Sequence, residues 1–475
     1  MEKLKVVLIE PPLPIEKEAG SLKEVANILP SLNLGYLAAV LEKNGFNVEI
    51  IDARVLNLNN VQLLERLKQD KPNLIGITST VLTINTVIEL CKSIKKELKG
   101  SLVVIGGPHI SSTPKETMKF GCFDIGVIGE GEYTLLEIVQ QLSIGKLDLK
   151  KIRGICYIKN KKLIFNEARD YIKDLDELPF PARHLYPPLS EYHPVPASYK
   201  KLPLAHMFTS RGCPHQCTFC DRTTFGKRFR ARSPKNVVDE IEECLTKYHA
   251  KEIKFFDDAF TVDKKRTTEI CNEIIKRGLK FPWSCLTRVD NVSLELLEKM
   301  KEAGCWQVSY GLESGSQRIL DLMKKGITIE QSRNAVNWAK KAKLNVRAFF
   351  ILGFPGETLE TINETIRFAK ELRIDVASFY TITPYPGNEM FQMIKDEGKL
   401  RHMNYDDYVP LIDINSTKLA YVPDGITEEQ LKRSVSRAYK EFFLRPSYIF
   451  RQIFSIRSLE DIKRYWKGFK AIIST

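Results

Sequence analysis

Long apolar runs are missing from this chain of 475 residues. No window reaches 18 uninterrupted apolar residues, which argues against a membrane-spanning helix. The charged start Met1-Glu2-Lys3-Leu4-Lys5 leads directly into a short apolar run, without the apolar core and small-residue cleavage site of a secretion signal. The expectation is a cytoplasmic protein. Disulfide-type spacing is missing too. Of ten cysteines, seven (Cys91, Cys122, Cys156, Cys244, Cys271, Cys285 and Cys305) stand singly and read as small buried hydrophobes. No short sequence period repeats, so a solenoid is not expected. Acidic residues are in deficit: 59 Asp and Glu stand against 72 Lys and Arg, a net charge of +13. That balance suits an anionic substrate, a nucleic acid or an acidic membrane surface. Nucleic acid is the weakest of the three, because no RNA-binding module is recognisable.

What is present is ordinary globular composition at a length that calls for two or three domains. Residues 1–145 alternate short buried-strand runs (6–9, 48–51, 74–77, 102–105) with amphipathic helices near 34–43, 61–69 and 86–98. This pattern predicts a doubly wound, Rossmann-like parallel sheet covered on both faces. Residues 146–200 predict a hairpin followed by a proline-rich linker. From 201 to 400, six strand–helix units predict a partial βα barrel, whose chemistry belongs at the C-terminal strand ends. Residues 401–475 predict a basic helical region.

Immediately after the first strand of the second α/β segment comes Arg211-Gly212-Cys213-Pro214-His215-Gln216-Cys217-Thr218-Phe219-Cys220. Three thiols at C-x3-C-x2-C on one loop can converge on a soft metal centre. Structural zinc normally takes four protein ligands, often as two pairs, and no second C-x2-C pair occurs. Three ligands leave one iron of a 4Fe–4S cluster open to substrate or cofactor. A zinc loop short of one ligand, or coincidental cysteines, are the alternatives.

This motif resembles that of the radical S-adenosylmethionine enzymes, over roughly residues 200–400. The resemblance implies that Cys213, Cys217 and Cys220 hold a 4Fe–4S cluster whose open iron chelates S-adenosylmethionine. It further implies contacts of that cofactor with Phe219, with Asp257 or Asp258 after the second strand, with Glu313 and Ser314 after the fourth, and with Gly353 and Gly356 after the fifth. Asp257-Asp258 read equally as a helix N-cap, and residues 353–356 as a turn. No catalytic residue beyond the cluster ligands is named.

Residues 1–145 resemble the cobalamin-binding subclass of that superfamily, through Leu32-Asn33-Leu34-Gly35-Tyr36-Leu37, Gly106-Gly107-Pro108-His109 and Gly129-Glu130-Gly131-Glu132. The resemblance implies cobalamin near Leu34, Gly35, Ser79, Thr80, Gly106, Gly107, Glu130, Gly131 and Glu132. The Asp-x-His-x-x-Gly motif is missing, so no lower-ligand histidine is expected from it. His109 reads as a surface or capping residue.

Most of the net positive charge lies beyond residue 431, where basic residues are interleaved with aromatic ones. Such a segment either lies on an anionic bilayer or packs on the barrel. The leading expectation is a cobalamin-dependent radical methyltransferase with a small-molecule or lipid substrate and an external flavodoxin- or ferredoxin-type electron donor. A radical cyclase or coupling enzyme acting on a lipid or tetrapyrrole is the first alternative. A non-catalytic iron–sulfur or zinc protein is the second.

Overall fold

The computed structural model describes residues 4–13, 28–408 and 418–453. Two sheets organise it. The first has strand order β2-β1-β3-β4-β5-β6-β7. Strands β1 (Lys5–Glu10), β2 (Asn47–Asp52), β3 (Leu74–Thr78), β4 (Leu102–Gly106) and β5 (Ile125–Val127) pair in parallel. Helices Leu32–Lys43 and Glu132–Ser143 share one apolar core with the sheet, and helices Asn60–Asp70 and Ile84–Glu97 share the other. The sheet is therefore doubly wound, as its uniformly apolar strands required.

The predicted hairpin, β6 (Ile155–Lys159) and β7 (Lys162–Phe165), extends this sheet in antiparallel sense. Asn160 and Lys161 take positive φ at its two-residue turn, the geometry that matches strand twist. The proline-rich stretch is docked on the second domain: the Arg183 guanidinium pairs with Glu240 at 2.5 Å and donates to the His206 carbonyl at 3.0 Å.

The second sheet has order β15-β14-β13-β12-β11-β8, all parallel, and its outer strands do not pair with each other. Its members are β8 (Leu204–Met207), β11 (Glu252–Phe255), β12 (Trp283–Thr287), β13 (Cys305–Glu313), β14 (Asn345–Leu352) and β15 (Val376–Thr381). This is the expected partial (βα)6 barrel. A small antiparallel pair, β9 (Ser210–Arg211) and β10 (Arg230–Ala231), follows its first strand.

Helix Glu428–Phe443, opened by a Thr427–Gln430 capping box, buries Leu431, Val435, Ala438 and Phe442 in the barrel's core. Its Lys432 and Arg433 pair with Glu428 and Glu429 one turn back. Over these residues the basic segment packs on the barrel and leaves a solvated charged face; residues 454–475 lie outside the described residues. No described helix is long and apolar enough to cross a membrane.

Candidate active site

The cysteine loop leaves the C-terminal end of β8 and is pinned at several points. Asp257 is buried, and its carboxylate accepts from the backbone of Thr209 (2.6 Å) and Ser210 (3.1 Å) and from the Thr209 hydroxyl. Gly212 has φ +82, where a Cβ would run into the Arg228 carbonyl. Farther on, Thr218 donates its N–H to the Met323 carbonyl (3.0 Å), and the Asn388 amide donates to that of Phe219 (2.9 Å). Cys217 is buried, Cys213 half-buried and Cys220 exposed. The loop is fixed while its last thiol stays open.

Two cations converge on these sulfurs. Arg288, at the end of β12, approaches Cys217 Sγ at 3.6 Å while pairing with Asp290 and donating to the Lys325 carbonyl. Lys325 is buried, pairs with Glu313 at 2.7 Å and lies over the Phe219 ring. The neighbouring Cys220 thiol, then Lys325 and Arg288, lower the Cys217 thiol from its ordinary value. Cys213 goes up, through burial first and the nearby Asp258 carboxylate. This donor set fits a 4Fe–4S cluster: three thiols on one loop, with fixed cations to offset thiolate charge. Zinc in a structural site takes four protein ligands, and this loop offers three thiols.

The residues expected at S-adenosylmethionine divide. Asp258 is exposed with its charge felt at Cys213, and Phe219 and Glu313 flank Lys325. Glu313 has φ +62, a conformation costly for a side-chain-bearing residue and concentrated at functional sites. Asp257 is turned inward instead, as the anchor of the cysteine loop. Ser314 is fully buried, with its hydroxyl between Thr365 Oγ1 (3.1 Å) and the Ser316 N–H (3.1 Å). Gly353 and Gly356, both at φ +87, give way to Leu431 and Leu322 of the protein itself. Lys325 and Arg288 were missed: both lie far from the motif in sequence, and only the loop geometry joins them to it.

In the first domain, several expected cobalamin residues serve the joint with the barrel. Arg211, directly before Gly212-Cys213, reaches Glu130 (3.0 Å) and Glu132 (2.6 Å), and all three are buried. Arg230 also pairs with Glu130, at 2.9 Å. The Arg211 guanidinium lies 5.2 Å from the ring centres of both Tyr36 and Phe225. The carboxylates of Glu130 and Glu132 are thus engaged within the protein. Leu34 is core, a Cβ on Gly35 would strike Pro181, and Gly131 packs beside Leu37. At the C-terminal strand edge, Ser79 is buried and donates its hydroxyl to the Gly106 carbonyl at 3.0 Å. Gly107 (φ +98) lets Thr78 and Ser79 approach, Thr80 is exposed, and a Cβ on Gly106 would meet open space. Thr80 and Gly106 therefore remain available to a flat macrocycle. His109 is buried rather than at the surface: it packs edge-on against Tyr405 and bonds Thr113 Oγ1 at 3.1 Å. Burial pushes it down to about 4. Next to it, Ser112 bonds Thr223 Oγ1 (3.0 Å) and Asp221, just beyond the last cysteine. The two strand edges meet there.

The family models agree with this arrangement. Residues 207–369 match the radical SAM superfamily, and residues 20–139 match the B12 binding domain. An uncharacterised methyltransferase of Pyrococcus horikoshii is 36% identical over 470 residues, 98% of each chain. The chain belongs to the cobalamin-binding, methyltransferase-like radical S-adenosylmethionine family. The anaerobic magnesium-protoporphyrin IX monomethyl ester cyclase of Rubrivivax gelatinosus is 29% identical over 90% of this chain and 76% of its own. In fold, the radical S-adenosylmethionine methyltransferase TsrM of Kitasatospora setae, solved with cobalamin and a [4Fe-4S] cluster, superposes with a TM-score of 0.72 at 18% identity, over 94% of this chain and 90% of that one. As a member of this family the chain is an enzyme with three cofactors: a 4Fe–4S cluster, S-adenosylmethionine and cobalamin.

Proposed function

We propose that this enzyme methylates an unactivated carbon of a small molecule, with cobalamin as methyl carrier. The observation that carries the reading is the rigid cysteine loop, set between two cations on the barrel side and locked by Arg211 to the cobalamin-type domain. Cys213, Cys217 and Cys220 are our cluster ligands. Asp258, with Phe219 and the Glu313–Lys325 pair, is our choice for S-adenosylmethionine, and Thr80 with the Gly106 edge for the corrin. When bound, these groups supply a 5′-deoxyadenosyl radical for hydrogen abstraction and a methyl group for the resulting carbon radical. The chain's own part is to fix geometry and charge. Arg288 and Lys325 hold positive charge beside the sulfurs, Asp257 stiffens the loop, and the Tyr36–Arg211–Phe225 stack packs behind it. We divide the chain functionally at residues 145, 200 and 400, counting the hairpin with the first sheet it extends. The electron donor is proposed to be of flavodoxin or ferredoxin type.

Cyclisation is the second reading, supported by the length of chain shared with the Rubrivivax cyclase. One anaerobic reconstitution separates the cases. Methylation requires one cluster by iron and sulfide analysis, dithionite-dependent 5′-deoxyadenosine, a corrin absorption spectrum, and labelled methyl passing from S-adenosylmethionine to product. Cluster and 5′-deoxyadenosine should vanish when all three cysteines become Ala. Product without the label would establish cyclisation or coupling instead.

A further inference from the structure

Strand alternation divides the barrel's side chains into two sets. Ala205, Met207, Ile253, Phe255, Trp283 and Val346 join the core beneath the outer helices, so the residues between them face the interior. In the lower interior, His206, Lys254, Ser284 and Gln307 lie in register on four adjacent strands. Residues 196–198 close this end: Lys254 Nζ donates to the Ser198 carbonyl and the Gln307 amide to that of Ala197, each at 3.3 Å. Above this floor sits Arg347, level with Ser309. Around and above it Leu286, Phe349 and Tyr380 are only half-buried, and the Phe349 and Tyr380 rings stack at 6.2 Å.

The charges here do not balance. Among the described residues, neither Arg347 nor Lys254 has a carboxylate within ion-pair distance. The acid of the same interior, Glu252, is occupied by the Trp306 indole (2.8 Å) and by the N–H groups of Lys200 and Lys201 (2.6 Å each). Arg347 donates one bond, to Ser378 Oγ at 3.2 Å, and its buried Nε has no partner; neither has the buried hydroxyl of Ser284. Burial and the neighbouring Arg347 together push Lys254 down to about 7. Unpaired cations and orphaned donors inside a protein are unfavourable unless a ligand completes them.

We propose that this interior is the substrate subsite and that Arg347, with Lys254 below it, anchors an oxyanion, a carboxylate or phosphate group. The apolar body of the substrate rests on Phe349 and Tyr380. With its acid held at that depth, the substrate directs its far end toward the C-terminal strand ends, where the cysteines lie. The substrate class is thus an apolar acid; this deepens the methyltransferase reading and rests on it.

The test is calorimetric titration of the full-length, anaerobically reconstituted protein, saturated with S-adenosylmethionine, using phenyl phosphate, benzoate and benzyl alcohol as probes. At least one anion should bind about tenfold more tightly than the alcohol, and the better anion identifies the group. Arg347→Gln should weaken that anion by about tenfold or more, Arg347→Lys by clearly less, and the surface change Arg333→Gln not at all. If Arg347→Gln does not fold, Lys254→Gln is measured in its place, with the same direction of loss expected. Anions binding no better than the alcohol, or as well to Arg347→Gln as to the parent, would overturn the anchor. Iron and sulfide analysis of each preparation reads the cluster separately. Cluster without anion binding ends the anchor alone, and anion binding without cluster ends the radical reading alone.

Discussion

Glu357 carries an unusual load for a single side chain. Buried in the turn after β14, it accepts the N–H groups of Gly353 (2.5 Å) and Phe354 (3.0 Å), while its other oxygen has no partner. Burial pushes it from 4.5 up to about 7. Between those values the folded state binds a proton that the unfolded state has released, so stability falls as pH rises through this window. The loss levels off above pH 7 at about 3 kcal/mol. Glu357→Gln keeps an acceptor for the turn and removes the titration. Urea unfolding from pH 5 to 8 should show the parent losing stability relative to the variant, and parallel curves would contradict this. Lys325 is a sharper case, since Lys325→Met strands the buried Glu313 carboxylate. Unfolding free energy should drop by about 3–5 kcal/mol, and Lys325→Met combined with Glu313→Gln should recover much of it. Thermal midpoints of the two variants check this.

At the scale of elements, the buried clasp between the 129–132 turn and β9 joins two sheets that pair through no strand. Arg211→Leu leaves Glu132 buried without its cation, a loss on the order of 3–5 kcal/mol, whereas Glu132→Gln leaves Arg211 with Glu130 and should cost about 1–2 kcal/mol. Differential scanning calorimetry of both variants reads the order, and a larger loss for Glu132→Gln would refute the clasp as drawn. This clasp also marks where sequence reasoning stopped. Most strand and helix positions were legible because each depends on local periodicity, though the three-residue β5 and the helix Glu132–Ser143 after it were not. The cysteine loop was legible because its three thiols lie within eight residues. The segments 32–37 and 129–132 were legible as recurrent motifs, yet their contacts were not. Tyr36, Glu130 and Glu132 meet at Arg211 only after the chain has crossed the linker, and nothing within either segment specifies that meeting. The hairpin's attachment to the first sheet was hidden for the same reason, because register between elements is a tertiary property. Ser314 and Asp257 entered as cofactor contacts through the family resemblance, which carries no information about local hydrogen bonds. The structure gives them backbone to hold.

At the scale of the whole molecule, what matters is that two strand edges face one seam. Ser112, in the short helix after β4, touches Thr223 just beyond the last cysteine, and Gly129 lies near the Thr224 carbonyl. The open Gly106 edge and the exposed Cys220 thus belong to loops already in contact. If a corrin occupies the first edge and a cluster the second, as proposed, their unpaired electrons should interact. In protein reconstituted with cobalamin and reduced with dithionite, the electron paramagnetic resonance signals of cob(II)alamin and the reduced cluster should broaden each other. Each signal should sharpen when the other centre is left out. The contact is held by side chains from both domains, so Arg211→Leu should weaken the broadening before it abolishes either centre. Two unbroadened signals in the doubly loaded protein would mean that the seam seen here does not hold both groups at once. The carbon radical and the methyl carrier would then have to meet by a domain movement that the buried Arg211 clasp opposes.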